Sequence, residues 1–364
     1  SSRLTVEQSE FLRRSARKTW DFFETFVTAE DHWLPPDNYQ EHPSSAVAHR
    51  TSPTNMGLAL LANLAARDFG FISSGRLIER TTRAFETMTD LERYQGHFYN
   101  WYDTRTLEPL SPHYISTVDS GNLAGHLMAL RAGLLQLSSE GIVSPRLLPG
   151  LTDTLQLLTR AMSRGSMASL LPLQQALDAA HGTTADTLAA ARSGLELLMQ
   201  LASGLAPETQ VDASDEAQRW AYALLKQCSD AHDDLVHLAP WTQLPTVPAG
   251  LEAGIELPAN PTLHELARIG IEVLPRARAR LAMTVDAAEE QWLSTLCALL
   301  ELSSERARAR IAELEELADA ANTLADIDYS FLFDPSRKLL WMGVNAVDEK
   351  TLEVKLTSPQ PWFE

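Results

Sequence analysis

Leu, Ala, Glu and Arg dominate residues 145–325, and this composition predicts that the middle of the chain is a stack of helices. These residues lose little conformational freedom in a helix. We predict amphipathic helices over about 145–162, 167–180, 184–204, 213–238, 277–301 and 304–322. The proline-rich segment 240–261 interrupts the series. We find no repeat of fixed period, so the sequence does not support a solenoid.

The first 140 residues combine helices with long polar-aromatic connections. Thr5 and Gln8 have the spacing of a capping box and predict a helix that begins there and ends before Trp33. Ser52 can cap a second helix with Pro53 in its first turn, where a missing N–H costs nothing. The predicted helices cover 5–32, 53–69, 74–91 and a stretch that opens at 119.

Strand patterning is confined to the last thirty-odd residues. The segment 351–356 alternates polar and apolar side chains with the period of two expected of a half-buried strand. We therefore predict a mainly α fold with a short C-terminal β-hairpin.

Length and composition exclude several classes of protein. The 364 residues, 45% of them hydrophobic, can bury a large core. A formal net charge of −18 repels phosphate and anionic lipid headgroups, so we expect no nucleic-acid partner. No apolar run approaches the length of a spanning helix, so we expect no direct membrane insertion. Two cysteines, Cys228 and Cys297, are too few for a disulfide framework. We expect the chain to be soluble and, since it begins at Ser1, to be a piece of a longer protein.

Three connections in the N-terminal third carry most of the candidate chemistry. They lie at 32–41, 96–103 and 114–122, in a region that holds 16 of the 26 aromatic residues. Each mixes flat aromatic side chains with Asp, Asn, Gln or His. Aromatic rings pack on a pyranose face, and carboxylates and amides hydrogen-bond to vicinal hydroxyls. The loops therefore favour a sugar ligand.

Several of these residues also have a purely structural interpretation. Trp33 and Trp101 can close the ends of helices, and Asp119 can cap the fourth helix. His97 can be a hydrogen-bonded structural histidine instead of a general base. The sequence leaves both interpretations open.

Catalytic and metal chemistry are less well defined by the sequence. Asp37, Glu41 and Asp103 could serve as acids if burial raises the pKa of their carboxyl groups, but no distance between them follows from the sequence. His232 and His237 are five residues apart, off the i, i+4 spacing that presents two ligands on one helix face. We expect no metal site and no cofactor.

The strings 20–26, 32–41, 47–55, 96–103, 116–126 and 327–340 follow one another in a recognisable order. They include Trp20-Asp21-Phe22-Phe23, His49-Arg50-Thr51-Ser52-Pro53 and Asp328-Tyr329-Ser330-Phe331. Together they resemble the central, glucoamylase-like region of cyclic β-1,2-glucan synthases. These are large bacterial inner-membrane proteins that join a glycosyltransferase domain to glycoside hydrolase-like and phosphorylase-like domains.

The resemblance implies an incomplete (α/α)6 toroid, a ring of alternating inner and outer helices with a glycan cleft at one end. It divides the chain into an N-terminal part of the glycan-processing domain (1–140), a helical insertion (141–325), a return segment of that domain (326–341) and a strand-like tail (342–364). The implied activity is transglycosylation or cyclisation of β-1,2-glucan. The implied partners are the glucan and the rest of a multidomain synthase, on the cytoplasmic side of the inner membrane.

The resemblance also implies which residues meet the glucan. We expect the principal catalytic glutamates of the family to lie downstream of the 328–331 string, beyond this chain, so no catalytic residue is assigned. The residues that match family motifs are expected to bind substrate or to shape the loops. They are Asp37, Asn38, Gln40, Glu41, His49, Arg50, His97, Asn100, Trp101, Asp103 and Asp119.

The segment 343–363 departs from this family. With Thr351-Leu352-Glu353-Val354-Lys355-Leu356 it resembles a hairpin of periplasmic oligopeptide-binding proteins, which implies a strand pair without its parent sheet. Two other functions therefore stay open. One is a helical scaffold or interaction module without carbohydrate chemistry, and the other, supported by the tail alone, is a peptide-binding protein.

Overall fold

The computed structural model describes residues 4–162, 164–182, 187–212, 215–245, 255–346 and 355–356. Most of these residues are helical, so the prediction of a mainly α fold is confirmed. The helices are α1 (Val6–Phe26), α2 (Pro53–Phe69), α3 (Ser74–Asp90), α4 (Thr117–Leu137), α5 (Leu147–Ala161), α6 (Leu171–Gly182), α7 (Leu188–Asp212), α8 (Asp215–Leu238), α9 (Leu263–Glu272), α10 (Leu274–Leu281) and α11 (Ala287–Ala325). Short 3-10 turns cover Ala29–Asp31, Arg164–Leu170, Pro240–Gln243 and Ser330–Leu332.

Short strands connect the helices, each two or three residues long. They are β1 (Tyr39–Gln40), β2 (Ala46–Val47), β3 (Arg50–Thr51), β4 (Arg93–Tyr94), β5 (His97–Phe98), β6 (Tyr102–Asp103), β7 (Tyr114–Ser116), β8 (Phe333–Asp334), β9 (Leu339–Leu340), β10 (Gly343–Asn345) and β11 (Lys355–Leu356). The antiparallel pairs are β1–β2, β3–β6, β4–β5 and β8–β9. The expectation that strands occur only near the C-terminus was wrong, because strands this short leave no alternation to detect.

The predicted helix starts depend on local capping, and two of them are confirmed. The Thr5 amide donates to Gln8 Oε1 and the Gln8 amide donates to Thr5 Oγ1, which is a capping box at the start of α1. Ser52 Oγ accepts from the Asn55 amide, and Pro53 opens α2.

Helix α4 begins two residues earlier than predicted. It starts at Thr117, and Ser116 Oγ accepts from the Asp119 amide. Asp119 is therefore not the cap but lies in the first turn, where its side chain is available for other contacts. Leu123, Leu127 and Leu130 are fully buried on the stripe that the sequence predicts.

The predicted break near 302 and the predicted helix across 282–286 were both wrong. Helix α11 runs without interruption because Ser303 and Ser304 donate to the carbonyls of Leu238 and Ala267 on neighbouring helices instead of competing for their own backbone. Helix α10 ends at Leu281, and Asp286 Oδ1 accepts from two amides at the start of α11.

The chain divides into two compact units. The first unit comprises Ser1–Arg17, Ala66–Leu77 and Leu135–Glu315, and the second comprises Lys18–Ala65, Ile78–Leu134 and Glu316–Glu364. These units do not follow the predicted boundaries at 140, 325 and 341, which stay a prediction. The (α/α)6 arrangement likewise stays a prediction.

The core of the first unit lies between α5, α6, α7 and α8. Leu155, Leu158 and Leu224 are among its fully buried side chains. At its edge the guanidinium of Arg17, which is completely buried, lies 5.5 Å from the ring centroid of Phe71 and 5.0 Å from that of Trp220. Apolar burial and cation–π contact together stabilise this unit.

In the second unit the C-terminal strands join a sheet. Strand β10 pairs with β11 on one side and with β7 on the other, so the expectation of a strand pair without a sheet was wrong. Gly343 is required at this junction, since a Cβ there would lie 2.2 Å from Tyr114 Oη and 2.3 Å from the Ile115 carbonyl oxygen. Of the predicted strand 351–356, residues 351–354 lie outside the described residues.

Candidate functional site

Backbone hydrogen bonds within the second unit bring the three polar-aromatic connections together. Strand β3 pairs with β6, so that Arg50 lies opposite Asp103. The Asp37 amide donates to the Ala48 carbonyl over 3.1 Å, and the Asn100 amide donates to the Tyr114 carbonyl over 2.7 Å. Segments far apart in sequence therefore meet within this unit.

Tyr102 anchors the middle connection. Its side chain is fully buried, and its hydroxyl donates to the Glu92 carbonyl over 2.6 Å and accepts from the Tyr99 amide over 2.8 Å. Burial raises the pKa of Tyr102 well above its ordinary value, so the phenol stays neutral. The two neighbouring residues, Trp101 and Asp103, are thereby held at fixed positions.

Arg50 joins the first connection to the second. Its Nη2 donates to Asp37 Oδ2 over 3.0 Å, and its guanidinium lies 4.6 Å from the ring centroid of Trp101. Asp37 Oδ1 accepts from Asn55 Nδ2 over 3.3 Å, and Asn38 Nδ2 also donates to Asp37. One face of the indole is thus covered by a cation that is itself held by a carboxylate.

Asp119 joins the third connection to the second. In the amide orientation that satisfies both partners, Asn100 accepts from Trp101 Nε1 and donates to Asp119 Oδ2, each over 3.0 Å. Asp119 Oδ1 accepts from Thr54 Oγ1 over 2.6 Å, and Asn122 Nδ2 donates to Thr54 Oγ1 over 3.2 Å. A continuous set of contacts therefore runs from Asp37 to Asp119. We refer to Asp37, Arg50, Asn100, Trp101 and Asp119 as the loop network.

Asp103 lies beside this network and forms a turn. Its Oδ1 accepts from the Arg105 and Thr106 amides over 2.8 and 3.0 Å. Burial opposes ionisation of this carboxyl, but the two amide hydrogen bonds outweigh it and lower the pKa of Asp103. Asp103 is therefore a carboxylate at neutral pH and is poorly suited to donate a proton.

His97 connects two of the segments through hydrogen bonds of its buried ring. Its side chain is completely buried, Nδ1 accepts from Ser120 Oγ over 2.8 Å, and Nε2 donates to the Asp328 carbonyl over 2.9 Å. The rings of Tyr329 and Phe331 each pack edge-on at 5.1 Å. Burial lowers the pKa of His97, so the ring is neutral. This environment corresponds to the structural interpretation, and it links His97 to the 328–331 string.

The structure does not bring Gln40 and Glu41 into the loop network. Both are exposed at the β1–β2 pair, where Gln40 Nε2 donates to the Ser44 carbonyl over 3.5 Å. Trp33 is also separate, since it packs 5.7 Å from the guanidinium of Arg80. The environment of Trp33 is structural, whereas Trp101 belongs to the loop network.

The structure adds residues that the sequence did not single out. Thr54 and Asn55 donate to Asp119 and Asp37 of the loop network, and Asn122 donates to Thr54. All three lie within strings already identified, so their polar side chains could have indicated these contacts. Asp31 is different. It is buried, it accepts from His49 Nδ1 over 2.8 Å, and nothing in its sequence surroundings indicates this contact.

Neither a metal centre nor a membrane span is found in the part of the chain that the structure describes. No group of three or more His, Cys, Asp or Glu side chains there could hold a metal ion. No helix there is both long and apolar enough to cross a bilayer. His232 instead contacts Asp233 and Glu196.

Comparison with known proteins confirms the resemblance read from the sequence. The chain is 36% identical over 250 residues to the cyclic β-(1,2)-glucan synthase NdvB of Rhizobium meliloti (strain 1021). The match covers 63% of this chain and 9% of that relative, so the chain spans a small part of its length. No family model matches the chain.

A solved structure of a presumed glucoamylase from Bacteroides fragilis NCTC 9343 is also similar. It is 18% identical and the match covers 43% of this chain and 37% of that one. The TM-score of 0.29 is too low to assign a fold.

Proposed function

We propose that the second unit binds β-1,2-glucan through the loop network, as part of the transglycosylation or cyclisation region of a cyclic β-1,2-glucan synthase. The observation that carries this proposal is the convergence of Asp37, Trp101 and Asp119, which lie in three separate connections, into one set of direct contacts. The name of the curated relative supports the choice of glucan.

The chemistry of the network suits a polyhydroxylated ligand. Trp101 is partly exposed and rigidly held by Arg50 on one face and by Asn100 at its ring nitrogen. A rigid indole offers apolar area to a sugar ring at little entropic cost, and the carboxylates beside it accept hydrogen bonds from hydroxyls. The two kinds of contact that a glucan requires therefore lie side by side.

The same geometry favours binding over acid catalysis. A general acid needs a raised pKa and a free oxygen, but Asp37 and Asp119 each accept hydrogen bonds on both oxygens. The pKa of Asp103 is lowered, not raised. We therefore propose that these three carboxylates bind and orient the glucan, and we assign no catalytic residue within the described chain.

The wider architecture is part of the proposal. We propose that the second unit contributes to an (α/α)6 glycan-processing domain, whose cleft the loop network lines. We also propose that the parent is a multidomain synthase at the cytoplasmic side of the bacterial inner membrane. Small-angle scattering and activity measurements on a longer polypeptide would test both statements.

Isothermal titration with linear and cyclic β-1,2-glucans tests binding directly. We expect heat with both glucans for the wild type and a loss of about tenfold in affinity for Trp101→Ala, since an aromatic contact contributes about 0.5–1.5 kcal/mol in addition to the apolar area that it buries. Tyr222→Ala, which removes an exposed aromatic side chain from the first unit, is the matched control and should bind as the wild type does. No heat with either glucan at millimolar concentration contradicts the proposal.

An interaction module is the second candidate, and one observation favours it. Val118 and Met128 on α4 and Leu58 on α2 are 61%, 67% and 47% exposed, respectively, and an interaction module would use such apolar side chains to contact a partner. The double variant Trp101→Ala with Asp103→Ala separates the two functions. Glucan binding requires that this variant lose affinity for glucan, whereas a scaffold predicts no effect on sugars and unchanged partner binding.

A further inference from the structure

A buried carboxylate controls the orientation of His49. Asp31 is 5% exposed and lies in the 3-10 turn Ala29–Asp31. Its Oδ1 accepts from His49 Nδ1 over 2.8 Å and from Thr104 Oγ1 over 2.6 Å. Thr104 is completely buried, and no arginine or lysine within the described residues forms an ion pair with Asp31.

These contacts determine which nitrogen of His49 carries the proton. An ionised carboxylate can only accept hydrogen bonds, so the Nδ1 that faces Asp31 must be the protonated nitrogen of the neutral ring. The Thr104 hydroxyl donates to the same oxygen and keeps the carboxylate in place. Nε2 of the neutral ring is then a lone-pair acceptor, and no described residue donates a hydrogen bond to it. The side chain of His49 is 24% exposed, which leaves a path to solvent.

His49 adjoins the loop network. It directly precedes Arg50 of strand β3, and its carbonyl accepts from the Thr104 amide over 3.1 Å. On the opposite strand, Asp103 pairs with Arg50. His49 and Thr104 are therefore the residues next to Arg50 and Asp103 on the two paired segments.

We propose that Asp31 is a positioning residue, which holds His49 in the Nδ1–H tautomer so that Nε2 accepts a hydrogen bond from a hydroxyl of the bound glucan. This inference rests on the proposed function and deepens it. The opposite tautomer would present an N–H donor at the same place, which any hydroxyl, ring or glycosidic oxygen can accept. By keeping Nε2 as an acceptor, Asp31 makes His49 specific for a hydroxyl group, which donates the hydrogen bond.

The tautomer can be measured without any ligand. Long-range ¹H–¹⁵N correlation spectra of the imidazole, recorded at a pH where the ring is neutral, distinguish the two tautomers. We expect Nδ1–H for His49 in the wild type and a shift towards Nε2–H in Asp31→Ala. Asp31→Asn should keep the wild-type pattern, because an amide oxygen can accept from both Nδ1 and Thr104. A wild-type ring in the Nε2–H tautomer overturns the inference.

Glucan titration of a double-mutant cycle tests the consequence for binding. We expect Asp31→Ala and His49→Ala each to lower affinity for linear β-1,2-glucan by about fivefold, as for the loss of one hydrogen bond. The double variant should be no weaker than His49→Ala, and Asp31→Asn should recover most of the affinity. Asp326→Asn, which neutralises an exposed carboxylate in the second unit, should bind as the wild type does.

The outcomes are distinguishable. An equal loss from Asp31→Ala in the presence and absence of His49 shows that Asp31 acts through the fold, and it overturns the inference while glucan binding stands. A wild type that binds no glucan removes both the proposed function and the recognition role of His49. Near-UV circular dichroism shows which variants are folded. If Asp31→Ala does not fold, Asp31→Asn replaces it in the double-mutant cycle.

Discussion

Gly57→Ala is expected to force α2 away from α4 and to weaken both folding and glucan binding. A Cβ at position 57 would lie 2.4 Å from His126 Nδ1 and 3.0 Å from His126 Cβ and Cγ. A rotamer change can move Nδ1, but Cβ moves only with helix α4. The same two helices carry the hydrogen bond from Thr54 to Asp119, so separating them lengthens a contact of the loop network.

The magnitude follows from two opposing effects. Alanine gains about 1 kcal/mol over glycine in a helix interior. Overpacking typically costs about 1–3 kcal/mol, and three atoms within 3.0 Å of Gly57's new Cβ place this site near the upper end. We expect a net loss of about 2 kcal/mol in the free energy of unfolding.

Urea unfolding followed by circular dichroism and tryptophan fluorescence measures this loss. In a His126→Gly background the Nδ1, Cγ and Cβ atoms that the new Cβ would meet are all absent, so Gly57→Ala should then cost close to nothing. Gly125→Ala is the matched control: outside the adjoining backbone of its own helix, no atom of the described residues lies within 4 Å of the new Cβ, and α4 should gain up to about 1 kcal/mol. An equal cost of Gly57→Ala in both backgrounds refutes the steric argument.

Three further outcomes are expected. Arg50→Lys should lower glucan affinity about three- to tenfold by calorimetry, since lysine keeps the charge but loses the fork to Asp37 and the planar contact with Trp101. Asp103 has a lowered pKa in the folded state, so its stabilisation should be complete above its ordinary pKa of 3.8 and lost as the pH falls through the lower value; Asp103→Asn should flatten that part of an acid unfolding curve. Burial raises the pKa of Cys228 to about 12, so iodoacetamide at pH 8 should modify this thiol only after unfolding.

Features that depend on neighbouring residues could be predicted from the sequence. The capping boxes are examples: Thr5 with Gln8 was identified, and Thr262 with Glu265 carries the same signal at the start of α9, which the sequence interpretation missed. In contrast, the continuity of α11 through Ser303 depends on a carbonyl 65 residues away. Propensity alone cannot reveal that a serine has an external acceptor.

The candidate site likewise has some features that the sequence predicts and others that only the structure shows. Residue types pointed to the three connections, but the contacts that assemble them join positions 65 residues apart in the case of Thr54 and Asp119. Asp31 is the clearest example of a site residue that could not be predicted from the sequence. Its role depends on its burial beside His49 and Thr104, and the residues next to it in sequence indicate neither that burial nor those contacts.

Most hydrogen-bond donors in and beside the loop network already donate to protein acceptors, so the groups left for a ligand are mainly acceptors. Asn55, Asn100, Thr54 and much of the Arg50 guanidinium already donate within the network. What remains are the second lone pairs of the carboxylates, the free oxygen of Asp103 and the Nε2 of His49. A surface of acceptors beside an indole recognises groups that donate, and the net charge of −18 disfavours anions. A neutral polyol satisfies both conditions, because each hydroxyl donates one hydrogen bond and carries no charge. These two observations support the ligand class proposed for the loop network.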